Sequence, residues 1–513
     1  MPDTAGKSCE ILITNEVMRA CEQAVIRDGI PGFTLMKQAG SGTASIIAAE
    51  NPLSSQILVV CGPGNNGGDG FIIAVELKKS GFAVSVACSA ARESLNGDAF
   101  LAASLWKEDI LSLENTVPEQ YDIIVDALFG TGLTRDITGS ANDLIERINA
   151  SRKKVYAVDM PSGIDGNSGQ IHGIAVQAAR TVTFFSAKQG HYLYPGREYC
   201  GKLDIIDIGI PYPQDFLQTN PHLNTPSWWR LTDFSEQIHK YEKGHVLVFS
   251  GGELQTGASR LAALAALRTG AGLVTILASL EAARIQAAHL TSVMIRECTD
   301  KEDLERILQD KRFNAAVIGP GFGIGETARE YVRQLCSADL ALVIDADGLS
   351  SLAQEPENLP KLFAGKKVVL TPHEGEFQRL FSSYPLSRQA GKIERARLAA
   401  KLCGSVIVYK GADTVIAALD GQVAVNINGT RHLATAGSGD VLSGCIAGLM
   451  AQNMSPFDAA CAGVWLHAFA GTRRGRGLIA EDLPLEISEI MSHCVDDILN
   501  CCILTEERAQ KNR

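Results

Sequence analysis

Residues 57–81 read ILVVCGPGNNGGDGFIIAVELKKSG: an apolar run, a glycine-rich turn, then a segment with helical spacing. An apolar run bounded by turn signals is a buried strand, and the spacing predicts a helix starting near Asp69. Strand, turn and helix in that order form half of a βαβ unit, so the stretch predicts a parallel α/β sheet. Glycine lets the backbone take φ > 0 and approach a ligand closely. The helix start behind it offers unpaired N–H groups and a positive dipole end to a phosphate. A tight turn without a ligand would use the same glycines, but the amide and carboxylate side chains of NNGGDG favour a phosphate or dinucleotide site.

Outward from this stretch the alternation continues. QILVVC (56–61), AVSVACS (83–89), YDIIVDALF (121–129), KVYAVDM (154–160), RTVTFFS (180–186) and LDIIDIGI (203–210) read as strands, and residues 10–50 as helical. PYPQDFLQTNPHLNTPSWWR (211–230) holds four prolines and no periodicity, which makes 216–234 the expected linker. A second series follows: HVLVFSG (245–251), LVTILA (273–278), NAAVIG (314–319), LALVIDAD (340–347), KVVLTP (367–372) and SVIVYKG (405–411). The two series do not align as a simple repeat. The expected organisation is one α/β domain over 1–215, a second over 235–500, and a polar tail over 501–513.

Composition narrows the class. A chain of 513 residues exceeds one ordinary core. Its 46% hydrophobic and 20% charged residues exclude long disorder. A net charge of −11 argues against a nucleic-acid partner, which needs a basic face. No apolar window is long enough for a membrane span, and MPDTAGKSCEILITNE lacks the pattern of a secretory signal. The 13 cysteines show no CxxC or zinc spacing, so reduced thiols in a cytoplasmic protein are expected.

Two more loops of the first half follow strand ends, where open α/β sheets place ligands. YDIIVDALF delivers Asp126 and then GTGLTRD (130–136); KVYAVDM delivers Asp159 and then PSGIDG (161–166). Each carboxylate could be a base, a ribose ligand, a cation ligand or a helix N-cap. Together, NNGGDG, VDALFGTGL and VDMPSGIDG resemble the NAD(P)H-hydrate epimerase family, also called the YjeF N-terminal domain, over roughly residues 10–215. The resemblance implies a Rossmann-like doubly wound sheet that interconverts the R and S forms of 6-hydroxylated NAD(P)H. It implies that Asn65, Asn66, Gly67, Gly68 and Asp69 hold the substrate with Gly130, Thr131, Gly132, Leu133, Thr134, Arg135 and Asp136. Asp159 would be the catalytic acid/base, and a potassium ion would sit between Asn66, Asp126 and Ser162.

In the second half, TAGSGDVLSGCIAGLM (435–450) sets Gly437, Ser438, Gly439, Ser443 and Gly444 around Asp440 where an apolar helix begins. The amides of such a turn can form an anion hole for a transferring phosphoryl group. Asp440 could take a proton or simply cap the helix. GSGD resembles the anion hole of the ribokinase-like superfamily. With GASRLAALAALRTGAGLV, GPGFG, DADGL, TPHEGE and KGADT, the set resembles the ADP/ATP-dependent NAD(P)H-hydrate dehydratase family over roughly residues 235–500. The resemblance implies a ribokinase-like α/β domain in which Ala258, Gly321 and His373 contact the hydrated nucleotide. Lys410, Gly411, Ala412, Asp413, Thr414 and Gly439 would contact ADP, with Asp440 as the base.

The expected activity is therefore bifunctional repair of NADHX and NADPHX, with ADP as co-substrate, magnesium on the phosphates and potassium in the first domain. A homo-oligomer is expected from the Ala/Leu-rich helix after Gly257 and from family habit. A ribokinase-like vitamin kinase with an accessory NAD-binding domain is the alternative; the lack of a second basic cluster for a phosphorylated sugar disfavours it. A decayed, non-catalytic relative would be expected to have lost Asp159 or Asp440, and both stand in intact motifs.

Overall fold

The computed structural model describes residues 10–213, 215–384 and 391–492. The start read for a signal (1–9), residues 493–500 and the polar tail 501–513 lie outside the described residues. The chain forms two compact units, Met1–His222 and Leu223–Arg513.

In the first unit the expected runs are strands: Gln56–Cys61, Ala83–Cys88, Ile123–Ala127, Lys154–Val158, Arg180–Phe184 and Lys202–Ile206. The short strand Ile110–Ser112, too brief to show a period, completes a seven-stranded sheet. Side by side, the strands begin at residues 110, 83, 56, 123, 154, 180 and 202, all parallel. The winding reverses between Gln56–Cys61 and Ile123–Ala127, and at such a switch point the carboxyl ends of the strands flank a crevice. Helices cover both faces, which is why these strands read as continuous apolar runs rather than alternating ones. Helices Asn15–Arg27 and Gly32–Glu50 fill the expected N-terminal helical region.

The first helix after the glycine turn begins at Asn65, not near Asp69, so NNGGDG forms its opening turns. None of Gly62, Gly64, Gly67, Gly68 and Gly70 takes a positive φ. Most serve close approach instead. A Cβ on Gly62 would lie 1.7 Å from the Leu128 carbonyl oxygen, and one on Gly67 1.9 Å from that of Gly62. Side chains there would lift the helix off the strand ends.

The second unit carries a ten-stranded sheet with strands beginning at residues 222, 423, 415, 406, 368, 341, 315, 245, 273 and 294. From His245–Phe249 onward it winds in the same order as the first sheet, then adds the antiparallel pair Val415–Ala417 and Val423–Val425. The two units thus share a winding order that their sequences do not display. The strand expected to run through Asp347 stops at Ile344, and Ala346–Leu352 is helical.

Segment 216–234 is not a free linker. Phe216 is buried against Phe185 and Tyr212 in the first unit, with ring centroids 5.4 and 5.0 Å away. In the second, Trp229 is buried and its indole donates to Asn224 Oδ1 at 3.1 Å. Prolines barred helix and strand, but aromatic rings still found cores to enter.

Helix Ser438–Ala451 packs directly on helix Gly257–Arg268, whose Ala262, Ala263, Ala265 and Ala266 are fully buried. The alanines read as an oligomer signal are covered within the unit itself. A Cβ on Gly444 would lie 2.1 Å from the Ala262 carbonyl oxygen. Gly444→Ala should therefore destabilise the second unit by about 1–3 kcal/mol, the usual cost of overpacking. Gly64→Ala, where a Cβ meets nothing within 4 Å, should cost far less; urea denaturation of both variants checks the contrast.

Candidate active sites

A cleft of about 640 Å³ opens at the switch point of the first sheet. Its walls are Asn65, Asn66, Asp69, the run Gly130–Arg135, Asp159, Lys188 and, from helix Asn15–Arg27, Arg19 and Glu22. The Asn65 and Asn66 amides, first in their helix, meet no backbone acceptor among the described residues. They are free to meet an anion. Gly67 and Gly68 are buried beneath the helix, and Asp136 turns away to His172, 3.8 Å from Nδ1.

Asp159 stands one residue past its strand in the left-handed region, with φ 63°. A non-glycine residue held there costs about 1–3 kcal/mol and needs support. Its N–H donates to the Val182 carbonyl, 2.8 Å away. The ring of His191 supplies the other prop: its Nδ1 accepts from the Lys188 amide at 2.9 Å, which leaves Nε2–H to donate to the Asp159 carbonyl at 2.8 Å. Burial, then the Lys188 charge, lowers the His191 pKa to about 4, so the ring is neutral. The Asp159 carboxylate accepts from Lys188 Nζ at 2.7 Å, Thr183 Oγ1 at 2.9 Å and the Thr131 amide at 3.4 Å. Burial opposes its charge, but the Lys188 ammonium outweighs burial and holds the carboxyl below its ordinary range.

Asp126 and Ser162 are wholly buried behind this cleft. Ser162 Oγ donates to Asp126 Oδ1 at 2.6 Å, the Ser162 amide donates to Oδ2 at 2.8 Å, and the Phe129 amide donates to Ser162 Oγ at 2.9 Å. Burial, only partly offset by Ser162, raises the Asp126 pKa to about 6. A nearby cation would supply the missing counter-charge. The Asn66 amide can donate to the Val158 carbonyl at 3.1 Å and accept from the Gly130 amide at 3.2 Å. The donors are all hard oxygens, which suits an alkali cation.

In the second unit, helix Ser438–Ala451 is capped by Gly437 at φ 85°, not by Asp440, which sits in its first turn. The Gly439 and Asp440 amides have no backbone acceptor among the described residues. Burial first, then the charge of Asp345, raises the Asp440 pKa to about 6. Lys410 Nζ is bound to Asp345 Oδ1 at 2.8 Å, and Ser443 Oγ donates to Asp345 Oδ2 at 2.6 Å. A Cβ on Gly439 would lie 3.7 Å from both Asp345 Oδ2 and Lys410 Nζ. Lys410, Gly439 and Asp440 therefore share one corner.

Gly321 and Ala258 meet nearby, with a Gly321 Cβ falling 3.5 Å from that of Ala258. His373 caps helix Glu374–Leu380, its Nδ1 accepting from the Gly375 amide at 3.0 Å, while half of its ring is exposed. In the hairpin turn Lys410–Thr414, Thr414 Oγ1 donates to the Gly411 carbonyl at 2.8 Å, and Asp413 is tied to Lys392 at 2.6 Å. Asp413 is committed inward.

Lys188, Thr183, Glu22, Asp345 and Lys392 were missed in the sequence. Lys188 had a signal: a lone cation in FFSAKQGH, directly after a buried strand. Asp345, first after its strand, repeats the placement of Asp159.

Comparison with known proteins covers both units. Residues 32–190 match the family model described as YjeF-related protein N-terminus, and residues 246–493 match that described as NAD(P)H-hydrate dehydratase. The chain is 34% identical over 491 residues to the bifunctional NAD(P)H-hydrate repair enzyme Nnr of Coxiella burnetii, covering 92% of this chain and 98% of that one. It is 35% identical over 489 residues to the Nnr enzyme of Moorella thermoacetica, covering 88% and 91%. Among solved structures, ADP/ATP-dependent NAD(P)H-hydrate dehydratase from Bacillus subtilis, co-crystallised with ATP/Mg2+, is 26% identical. It covers 52% of this chain and 94% of its own, with a TM-score of 0.43. With both halves matched and relatives of this identity spanning nearly the whole chain, the protein belongs to the bifunctional NAD(P)H-hydrate repair enzymes.

Proposed function

We propose that the first unit interconverts the R and S epimers of NADHX and NADPHX and that the second dehydrates the S epimer to NAD(P)H at the expense of ADP. The observation that carries this reading is the same in both units: a half-buried carboxyl group stands beside open amides at a helix start. Water adds to the nicotinamide ring without facial control, so a dehydratase selective for one epimer strands the other. An epimerase on the same chain removes that limit.

For dehydration, hydroxide is too poor a leaving group to depart from C6 unaided. Asp440 takes the proton of the C6 hydroxyl, whose oxygen attacks the terminal phosphate of ADP and releases AMP. The Gly439 and Asp440 amides meet the charge that develops on the phosphoryl oxygens. The C6–O bond then breaks as C5 gives up a proton, and the products are NAD(P)H and inorganic phosphate. Lys410, fixed by Asp345, and the 410–414 turn hold the nucleotide. Magnesium, bound with the nucleotide, would neutralise phosphate charge. Among the described residues no cluster of three His, Cys, Asp or Glu is placed to hold a metal, so it would arrive on the phosphates.

In the first unit Asp159 takes part in proton transfer at C6, and the Asn65 and Asn66 amides receive the pyrophosphate. Asn66, Asp126 and Ser162 would hold potassium. Its charge would fix the turn that carries the Thr131 amide to Asp159.

Asp440→Asn should lower ADP-dependent NADH formation about 10²–10⁴-fold, the usual share of a general base, while epimerisation persists. Asp159→Asn should leave the S epimer consumed and the R epimer untouched; absorbance of NADH with chiral separation reads both.

Because the base works deprotonated, kcat/KM for dehydration should rise with pH and level off above about 6, the Asp440 value. A profile flat through that range in wild type, or one unchanged in Asp440→Glu, would remove Asp440 from the role.

Potassium should raise the thermal midpoint relative to choline at equal ionic strength. At ten times Kd the gain is about 1.4 kcal/mol, and Asp126→Asn should abolish it.

A further inference from the structure

The cleft of the first unit holds more acid than Asp159 alone. Glu22, on helix Asn15–Arg27, and Asp69, on helix Asn65–Lys79, line the same walls. Neither carboxyl group makes a hydrogen bond or ion pair among the described residues; Glu22 feels the charges of Asp159, Lys188 and Arg19, and Asp69 those of Asp159, Glu22 and Lys188. Asp159, by contrast, owns the only buried ammonium of the cleft, that of Lys188, and two further donors. Arg19 is turned to the Thr131 carbonyl, 3.5 Å away, and is exposed. Cys61 lies near Asp69 from the strand below, and Gly40 of helix Gly32–Glu50 meets the Asp69 backbone. Three carboxyl groups thus share one cleft, and the one ion pair among them belongs to Asp159, which makes the Glu22 and Asp69 side the favourable place for a proton.

We infer that Asp69 is the acid of epimerisation, giving its proton to the C6 hydroxyl, while Asp159, an anion at that step, steadies the ring and then serves as the base. This rests on the epimerase reading of the first unit. The surroundings sort the two groups: burial, then Asp159 and Glu22, push Asp69 well above the carboxylate range, whereas Lys188 holds Asp159 below it.

The step balances without any co-reactant. The Asp69 proton passes to the C6 oxygen, the C6–O bond breaks with its electron pair on that oxygen, and water departs. The ring nitrogen lone pair closes the N1–C6 double bond, giving a cation beside the Asp159 carboxylate. A water then adds to the other face of C6, the double-bond pair returns to N1, and the released proton goes to Asp159. Exchange through cleft water returns it to Asp69. No ring opening is required. Glu22 acts as a positioning residue, since its negative field keeps the proton on Asp69.

The test uses the full chain and R-NADHX, with the epimers separated chirally across about pH 5–9. Asp69→Asn should lower kcat about 10²–10⁴-fold with KM little changed, and Asp69→Glu should recover part of the rate. Glu22→Gln should move the alkaline limb of kcat to lower pH, because removing a like charge lets Asp69 lose its proton sooner. Wild-type kcat in Asp69→Asn, or an unmoved limb in Glu22→Gln, overturns the proposal while leaving the unit an epimerase. A wild-type chain that never consumes the R epimer would sink the epimerase reading itself.

Discussion

Both sites depend on one constraint: a helix start must come down onto the ends of parallel strands more closely than any Cβ permits. In the first unit, Gly67 rests on the Gly62 carbonyl and Gly62 on that of Leu128. In the second, Gly319 meets the Asp345 carbonyl at φ 124° and Gly348, in the helix that follows, lies over the Ile318 carbonyl, while Gly444 lets its helix close on helix Gly257–Arg268. These contacts leave open amides and strand-end carboxyl groups facing one crevice. A fold that places strand ends at a switch point supplies the crevice; the glycines bring the donors within reach of it.

The electrostatic device is also shared. At each site a lysine commits one carboxylate as an anion: Lys188 with Asp159, Lys410 with Asp345. A second carboxyl group nearby is then left without a cation, and burial lifts it: Asp69 in the first unit, Asp440 in the second. Paired carboxyl groups driven apart by their surroundings can play acid and base at one pH. The committed partners differ in use. Asp159 lines its cleft, whereas Asp345 is tied on both oxygens, to Lys410 and Ser443, and serves to place the lysine.

Much of this was legible in the residues. Strands buried on both faces announce themselves as apolar runs, and the run from Ile57 to Cys61 with its glycine turn pointed to the right kind of sheet and the right edge of it. Asp126, Asp159 and Asp440 were visible because each lies near the end of a strand, follows one or opens a helix inside a motif. The rest depended on three dimensions. Glycine looks the same whether it bends a loop or admits a carbonyl, so NNGGDG read as a turn when it is helix. Glu22 and Lys188 come from elements far apart in sequence, and only the fold brings them to Asp159. The tryptophans and phenylalanine around the prolines at 211–230 looked like part of a linker because proline speaks about backbone and not about where a ring packs.

The central claim is that one chain carries two chemistries at two separate carboxyl sites. Incubating R- and S-NADHX, in a mixture depleted in one epimer, with the full chain, without and then with ADP, tests it most directly. Chiral separation should show the epimers re-equilibrating from a depleted mixture without ADP, and both disappearing as NADH and AMP appear together once ADP is added. If ADP consumes the S epimer alone and leaves the R epimer standing, or if a phosphorylated product accumulates in place of NADH, the account is contradicted.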